Sequence, residues 1–233
     1  MAQNENEKKG RPNIPGSVVF DWGVNLLTTH KHDTLKTKWG LSNTVNVYYM
    51  YEMNVTKNGQ ITFNPGIGVG VDKIGFSIDR GLASIVDSTT YERNTVMLPI
   101  EDMFPNAVGV KKTKLGITYL DIPMELRYHT NPNDRDRSFK IAVGGRIGFL
   151  LNQKTKYKFT EVDAQYGNQE DVKVKYHQDF GVSKFRFGTT FRMGVGPFNV
   201  FYYHNFSPLF RGDRGPEGTK VSNYTVGLTI SGF

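Results

Sequence analysis

The side chains best suited to catalysis or metal binding are those of the five histidines, His30, His32, His129, His177 and His204. His30 and His32 could place two imidazoles on one side of an extended segment and bind a metal ion. His32 beside a serine or an aspartate could act as a general base. Since the chain has no cysteine, a thiolate cluster and a catalytic thiol are both excluded. No motif fixes the geometry of these groups, so we expect solvated histidines and no catalytic residue, metal site, cofactor or enzymatic activity.

The spacing of the charged residues is more informative, because many of them alternate with apolar residues and share a phase with glycine. Five acids and six bases have this placement: Asp21, Glu52, Asp72, Asp121, Glu125, Arg127, Lys140, Arg146, Lys184, Arg186 and Arg192. An uncompensated buried charge is strongly destabilising, so buried charges must pair. The near balance of the two signs predicts a charge network that fills and plugs an enclosed interior.

Strands must position these charges, because strict alternation of polar and apolar residues over long stretches indicates β-structure. In one such segment Phe139, Ile141 and Val143 alternate with Lys140 and Ala142. Eight segments show the pattern: 17–27, 39–53, 61–72, 114–129, 139–152, 179–195, 198–206 and 223–233. No segment of comparable strength has the period of a helix.

The connections between the eight segments alternate in length. The long ones are 28–38, 73–113, 153–178 and 207–222. An even number of strands with short turns at one end and long loops at the other is typical of an outer-membrane barrel. We therefore expect a polar periplasmic segment, 1–16, and one domain, 17–233. Its fold is predicted to be all-β, an eight-stranded antiparallel up-and-down transmembrane β-barrel with extracellular long loops and both termini in the periplasm.

Alternation alone does not say which face of the strands is inside. The apolar rows contain no Asp, Glu, Lys or Arg, and a basic residue at the bilayer midplane costs about 2–4 kcal/mol. The polar rows are rich in glycine, which suits the crowded interior of a narrow barrel. Both observations favour an apolar face that meets lipid. Two alternatives stay open: a soluble lipocalin-like carrier with the apolar rows inside, and a small outer-membrane pore.

Charge and hydropathy restrict the partners. No window approaches roughly 18 unbroken apolar residues, which excludes a transmembrane helix but not transmembrane strands. The net charge of +7 is spread along the chain, whereas a nucleic-acid groove binder gathers its bases on one face. We therefore expect no nucleic-acid partner.

Two of the long loops carry patterns of their own. The loop 153–178 contains alternating lysines that predict a hairpin continuing the barrel strands: Lys154, Lys156, Lys158, Lys173 and Lys175. These ammonium groups could contact lipopolysaccharide phosphates, or they could form a charged, solvated edge that prevents aggregation. The loop 73–113 has enough apolar residues to fold over the barrel mouth or to dock a protein partner.

A family resemblance rests on two motifs. The run 119–128 (YLDIPMELRY), followed by 144–151 (GGRIGFLL), resembles the PorT-type outer-membrane β-barrel proteins of Bacteroidetes. Those proteins carry a Y-L-[DE]-I-P strand and then a glycine-rich strand that ends in an apolar pair before a long loop. The resemblance implies an eight-stranded barrel in the outer membrane, with periplasmic termini. Some members of that family are tied to protein secretion or gliding, but the resemblance does not assign that role here. The barrel layout favours a structural, adhesion or secretion-associated role through the extracellular loops, without choosing among the three.

The aromatic residue at position 233 resembles a second, broader feature of Gram-negative outer-membrane barrels. Their last strand typically ends in an aromatic side chain that the barrel assembly machinery reads. Phe233 fits this position, which makes it a candidate assembly signal and makes that machinery and outer-membrane lipids expected partners. It departs from the usual pattern because Val226, Leu228 and Ile230 hold the opposite phase.

Overall fold

The computed structural model describes residues 16–28, 37, 39–76, 80–86, 88, 91, 93–135, 137–162, 168–212, 214–216 and 221–232. The strands are β1 Gly16–Thr28, β2 Asn43–Tyr51, β3 Met53–Asn54, β4 Ile61–Gly75, β5 Arg80–Val86, β6 Arg93–Pro99, β7 Ala107–His129, β8 Phe139–Val162, β9 Gln169–Tyr176, β10 Phe185–Val195, β11 Phe198–Asn205 and β12 Ser222–Ser231. A 3-10 turn covers Trp39–Leu41, and a short helix, α1, covers Ile100–Met103. No helix in these residues is long and apolar enough to cross a bilayer.

Eight of these strands close into a barrel. Each pairs antiparallel with its neighbours in the order β1, β2, β4, β7, β8, β10, β11 and β12, and β12 pairs with β1. The closing register places Trp22 opposite Leu228, and on its other side Trp22 lies opposite Val45. The prediction of an eight-stranded antiparallel barrel is confirmed.

Several strand ends differ from the predicted ones. The predicted strand 179–195 begins only at Phe185, because residues before it run irregularly and are held by a bridge between Val182 and Phe210. The predicted strand 39–53 begins at Asn43, after the 3-10 turn. β7 and β8 are instead longer than predicted and extend beyond the barrel, where β9 pairs with the end of β8.

The outer surface of the barrel is apolar and its interior is polar. Leu126, Val143 and Leu228 are exposed by 49%, 56% and 57%, whereas Asp121 and Asn46 are fully buried. Strand alternation therefore sends the apolar rows outward, as predicted. This arrangement contradicts the lipocalin-like alternative, which requires those rows to line the interior.

The polarity of the two faces reverses along β7. In the barrel, Asp121 and Glu125 face inward and Leu126 faces outward. Towards the long-loop end, the inward residue is the fully buried Leu115, and Lys114 lies on the opposite, outward face. One strand thus passes from an environment that requires an apolar outside to one that requires an apolar inside.

A β-bulge accompanies the same reversal on β8. Tyr119 lies opposite Leu150 and Thr118 opposite Asn152, so that Leu151 is the extra residue. Beyond the bulge, the buried Tyr157 faces inward. The bulge shifts the phase of β8, and this shift places its lysines on the outward face.

The long-loop end is closed by an ordinary apolar core. The hairpin β5–β6, which lies within the predicted loop 73–113, contributes Leu82 and Met97 to this core. The remaining buried members come from β4, β7 and the irregular segments: Ile74, Phe76, Leu115, Ile117, Tyr119, Phe180, Val182, Leu209, Phe210 and Val221. The described part of loop 73–113 therefore folds over the barrel mouth.

Candidate functional site: the barrel interior and its extension

The first of two ionic clusters in the barrel is centred on Arg186, which projects inward from β10. Its Nη1 donates to Oδ2 of Asp72 at 2.6 Å, and its Nη2 and Nε donate to Oδ2 and Oδ1 of Asp121 at 2.6 and 3.0 Å. Arg146 of β8 donates to the Tyr48 hydroxyl at 2.5 Å, and that hydroxyl donates to Oδ2 of Asp121 at 3.0 Å. Two arginines and two aspartates are thus joined across the lumen.

The second cluster is centred on Arg192, nearer the short turns. Its Nη1 donates to Oδ1 of Asp21 at 2.6 Å, and its Nη2 donates to Oε1 of Glu125 at 3.1 Å. Arg127 donates through Nε to Oε2 of the same Glu125 at 3.1 Å. The Thr229 hydroxyl donates to Oδ1 of Asp21 at 2.6 Å. This cluster also contains two arginines and two carboxylates.

The two clusters leave the described interior electrically balanced. All eight charged groups are at most 4% exposed: Asp21, Asp72, Asp121, Glu125, Arg127, Arg146, Arg186 and Arg192. Glycine makes room for them, since a Cβ at Gly70 or at Gly148 would collide with an Asp121 oxygen. Buried groups of opposite sign in contact stabilise one another, and each removal would strand a partner.

The other three residues of the predicted network lie outside these clusters. Glu52 lies at the short-turn end, where it forms an ion pair with Arg135. Lys140 donates to the Ser231 hydroxyl at 3.0 Å. Lys184 is exposed, which corrects its predicted place in the interior; it lies one residue before β10, where strand alternation no longer fixes the direction of a side chain.

Uncharged residues that the sequence analysis did not select complete the interior. Tyr48 links Arg146 to Asp121, and the Thr44 hydroxyl donates to Oδ1 of Asp72 at 2.7 Å. The Tyr203 ring lies 3.5 Å below the Arg146 guanidinium, close enough for a cation–π contact. The sequence signal that could have identified Thr44 and Tyr48 as interior residues was their phase, because both lie in the polar row of their strand.

Hydrogen bonds tie the hairpin β5–β6 and the irregular segments to the mouth. Tyr157 donates to the Leu82 carbonyl at 2.6 Å, and burial raises the pKa of Tyr157 to about 12. Burial alone would raise the pKa of Asp179, but hydrogen bonds from Arg211, Gln153 and the Gly181 amide outweigh it and lower that pKa to about 2. Nη2 of Arg211 lies 2.5 Å from Oδ2 of Asp179. The mouth is therefore held by polar contacts as well as by apolar packing.

The five lysines predicted to contact lipopolysaccharide lie on β8 and β9. Lys156 is opposite Lys175, and Lys158 is opposite Lys173. Lys154 is opposite Gly116 of β7. The hairpin predicted for 153–178 is thus present, and its lysines meet those of β7.

Some candidate residues lie outside the part of the chain that the structure describes. These are Phe233, His30 and His32. Within the described part, no group of three or more histidine, aspartate or glutamate side chains is arranged to hold a metal ion.

Comparison with known proteins identifies a family and structures of similar fold. A family model described as "Outer membrane protein beta-barrel domain" matches residues 1–214. Among solved structures, Ail, the attachment invasion locus protein of Yersinia pestis, is 13% identical with a TM-score of 0.38, covering 93% of this chain and 97% of its own. A major outer membrane protein from Thermus thermophilus is 8% identical with a TM-score of 0.34, covering 93% and 99%. No curated protein matches the chain.

Proposed function

Since the chain belongs to the outer membrane protein beta-barrel domain family, we propose that it is a non-enzymatic bacterial outer-membrane protein with a lumen closed by its own ion pairs. It acts at the long-loop end, as a structural, adhesion or secretion-associated protein. The long loops are outside the cell, and both termini are in the periplasm.

The observation that carries this proposal is the reversal of polarity along β7. Leu126 is 49% exposed on the outside of the barrel while Asp121 and Glu125 are buried within it. An apolar belt of this kind on a folded protein is stable only against hydrocarbon, because water would penalise the exposed surface. Beyond the belt, the strand buries Leu115 and Ile117 as a water-soluble protein would.

The connections support the proposed direction of insertion. β1 begins and β12 ends at the edge that carries the short turns, and barrels of this class place short turns in the periplasm. The PorT-type resemblance supports the same direction. Its first motif supplies Asp121, which binds Arg186, and its second supplies Gly148, against which Arg186 packs. Recognition of Phe233 by the barrel assembly machinery is part of the proposal.

Three measurements on the purified chain test this function. The barrel should require detergent for solubility, and its gel migration should change on heating because a closed barrel resists unfolding. In a planar lipid bilayer it should give no steps in the nanosiemens range, because two balanced ionic clusters fill the lumen. Solubility without detergent would contradict membrane insertion, whereas nanosiemens steps would favour the pore alternative.

A further inference from the structure

The parts of β7 and β8 beyond the barrel, together with β9, form an extension of the barrel wall. Lysines form three cross-strand rows on the outward face of this extension. The first row contains Lys73 of β4 and Lys154 of β8, on either side of Gly116. The other two rows run across β7, β8 and β9, and all eight lysines together are called the lysine face: Lys73, Lys112, Lys114, Lys154, Lys156, Lys158, Lys173 and Lys175.

The second and third rows place like charges directly opposite one another. Lys114 lies opposite Lys156, which lies opposite Lys175. In the third row, Lys112, Lys158 and Lys173 are matched in the same way. Like charges in opposed positions destabilise a sheet, so these two rows cost the free chain stability.

The lysines of the face also influence one another electrostatically. Burial lowers the pKa of Lys114, and the charges of Lys112, Lys73 and Lys156 lower it further. In the described part of the chain, the carboxylate that forms ion pairs here is Asp171, with Lys111 and, at 3.0 Å, with Lys158. The lysine face therefore keeps a large excess of positive charge.

The face is rigid because the other side of its strands is a packed core. Tyr157 and Phe159 are buried against α1 and the residue after it, and the Phe104 ring lies 4.6 Å from that of Phe159. The spacing of the lysines is consequently fixed by the sheet. In the first row the Lys154 side chain lies beside Gly116, with its Cγ 3.5 Å from the position that a Cβ would take.

The rows stand directly above the apolar belt. On β7 the first row, at Gly116, lies four residues beyond Leu120, which is roughly 13 Å along the strand and roughly 10 Å along the bilayer normal for a tilted strand. A lysine at such a level can lay its methylene stem along apolar surface and keep its ammonium group among polar groups. The first row is thus at the level of lipid headgroups.

We propose that the lysine face binds the phosphate groups of phosphorylated glycolipid in the outer leaflet, with the acyl chains of the lipid lying on the belt below. This inference rests on the proposed function, since only a barrel inserted with its long loops outward brings this face to that leaflet. It adds Lys73, Lys112 and Lys114 to the lysines expected from the sequence. Ammonium groups suit phosphate as point charges, and each charge-assisted hydrogen bond is strong.

Reconstitution in nanodiscs tests the inference with diphosphorylated lipid A as the probe. Bound lipid A should be retained by the native chain in native mass spectrometry, and Lys114→Gln/Lys156→Gln should weaken binding at least about tenfold. The matched control, Lys57→Gln/Arg137→Gln, removes the same charge from exposed positions near the short turns and should bind as the native chain does. Dephosphorylated lipid A should not be retained.

The remaining outcomes of this experiment would contradict either the role of the lysine face or the proposed function. Equal retention of dephosphorylated lipid A, or equal losses in the two double variants, would overturn the inference. So would release of lipid A by inorganic phosphate at equimolar concentration, or preferential binding of an acidic polysaccharide or DNA. Failure to enter nanodiscs would contradict the proposed function itself, whereas insertion without lipid A retention would contradict only the lysine face.

Discussion

The interior of the barrel and its mouth are filled in opposite ways. The interior holds Arg186 and Arg192 with their carboxylates, all buried beneath an apolar outer surface. The mouth holds Leu115, Ile117 and Phe210 in an apolar core, with lysines on the outside of the same strands. The residues that a soluble protein would put outside are thus inside at one level and outside at the next.

The difference shows that the surroundings of each level decide which face is buried. Where the outside meets hydrocarbon, burying polar groups is the only way to keep them from lipid, and they must then satisfy one another. Where the outside meets water, the hydrophobic effect acts in its usual direction. The change between Leu120 and Lys114 on β7 therefore marks the upper edge of the belt.

The largest effect on stability is expected when one charge is removed from the interior. Arg186→Met should lower the free energy of unfolding by about 3–5 kcal/mol, because Asp72 and Asp121 lose a buried partner. The double variant Arg186→Met/Asp72→Asn removes one charge of each sign and leaves Asp121 with Arg146 and Tyr48, so it should recover most of the loss. Urea unfolding in lipid vesicles measures both. A loss of only about 1 kcal/mol, the size of an exposed ion pair, would mean that the cluster is open to water.

A second test compares two outward residues that have similar exposure at different levels. Leu228 is 57% exposed in the belt, and Val108 is 61% exposed near the end of the extension. Leu228→Arg should cost about 2–4 kcal/mol if lipid covers it. Val108→Arg should change stability by less than about 0.5 kcal/mol, because its surroundings are water. Equal effects in vesicles would show that the belt does not face hydrocarbon.

The smallest expected effect concerns the pH dependence of the mouth. The pKa of Asp179 is lowered from its ordinary 3.8 to about 2. Its contribution to stability is therefore complete above pH 3.8 and is lost as the pH falls towards 2. The side chain is 42% exposed, so the contribution should stay below about 1 kcal/mol.

Asp179→Asn is the variant that isolates this contribution. It should lower the midpoint of thermal unfolding slightly at neutral pH and should flatten its decline between pH 4 and pH 2. Circular dichroism melts at several pH values provide the measurement. Parallel pH profiles for the native chain and the variant would show that this ion pair does not stabilise the mouth.

Alternation made the barrel predictable because it persists through every strand of the belt. The pairing of Arg192 with both Asp21 and Glu125 needed the registers of several strands, and a sequence does not fix those registers. Their inward direction, by contrast, followed from phase. Lys184 shows the limit of phase, since the strand begins only at Phe185.

The extension was harder to predict than the belt for a physical reason. The bulge at Leu151 shifts the phase of β8 between its two levels, and the polarity of the faces reverses there as well. Alternation looks the same on both sides of such a change, so it cannot report which residues are inside. The rows that join Lys112 and Lys114 to the lysines of β8 also depend on the pairing of β7 with β8 continuing beyond the predicted end of β8.

The ion pairs at mid-depth make no contact with the hairpin β5–β6 in the described structure: Arg186, Asp72 and Asp121 bind groups of the barrel wall. The ion pairs that fill the lumen are consequently separate from the hairpin at the mouth. Changes in the sequence of the hairpin, or its cleavage, should therefore leave the ion pairs below it intact.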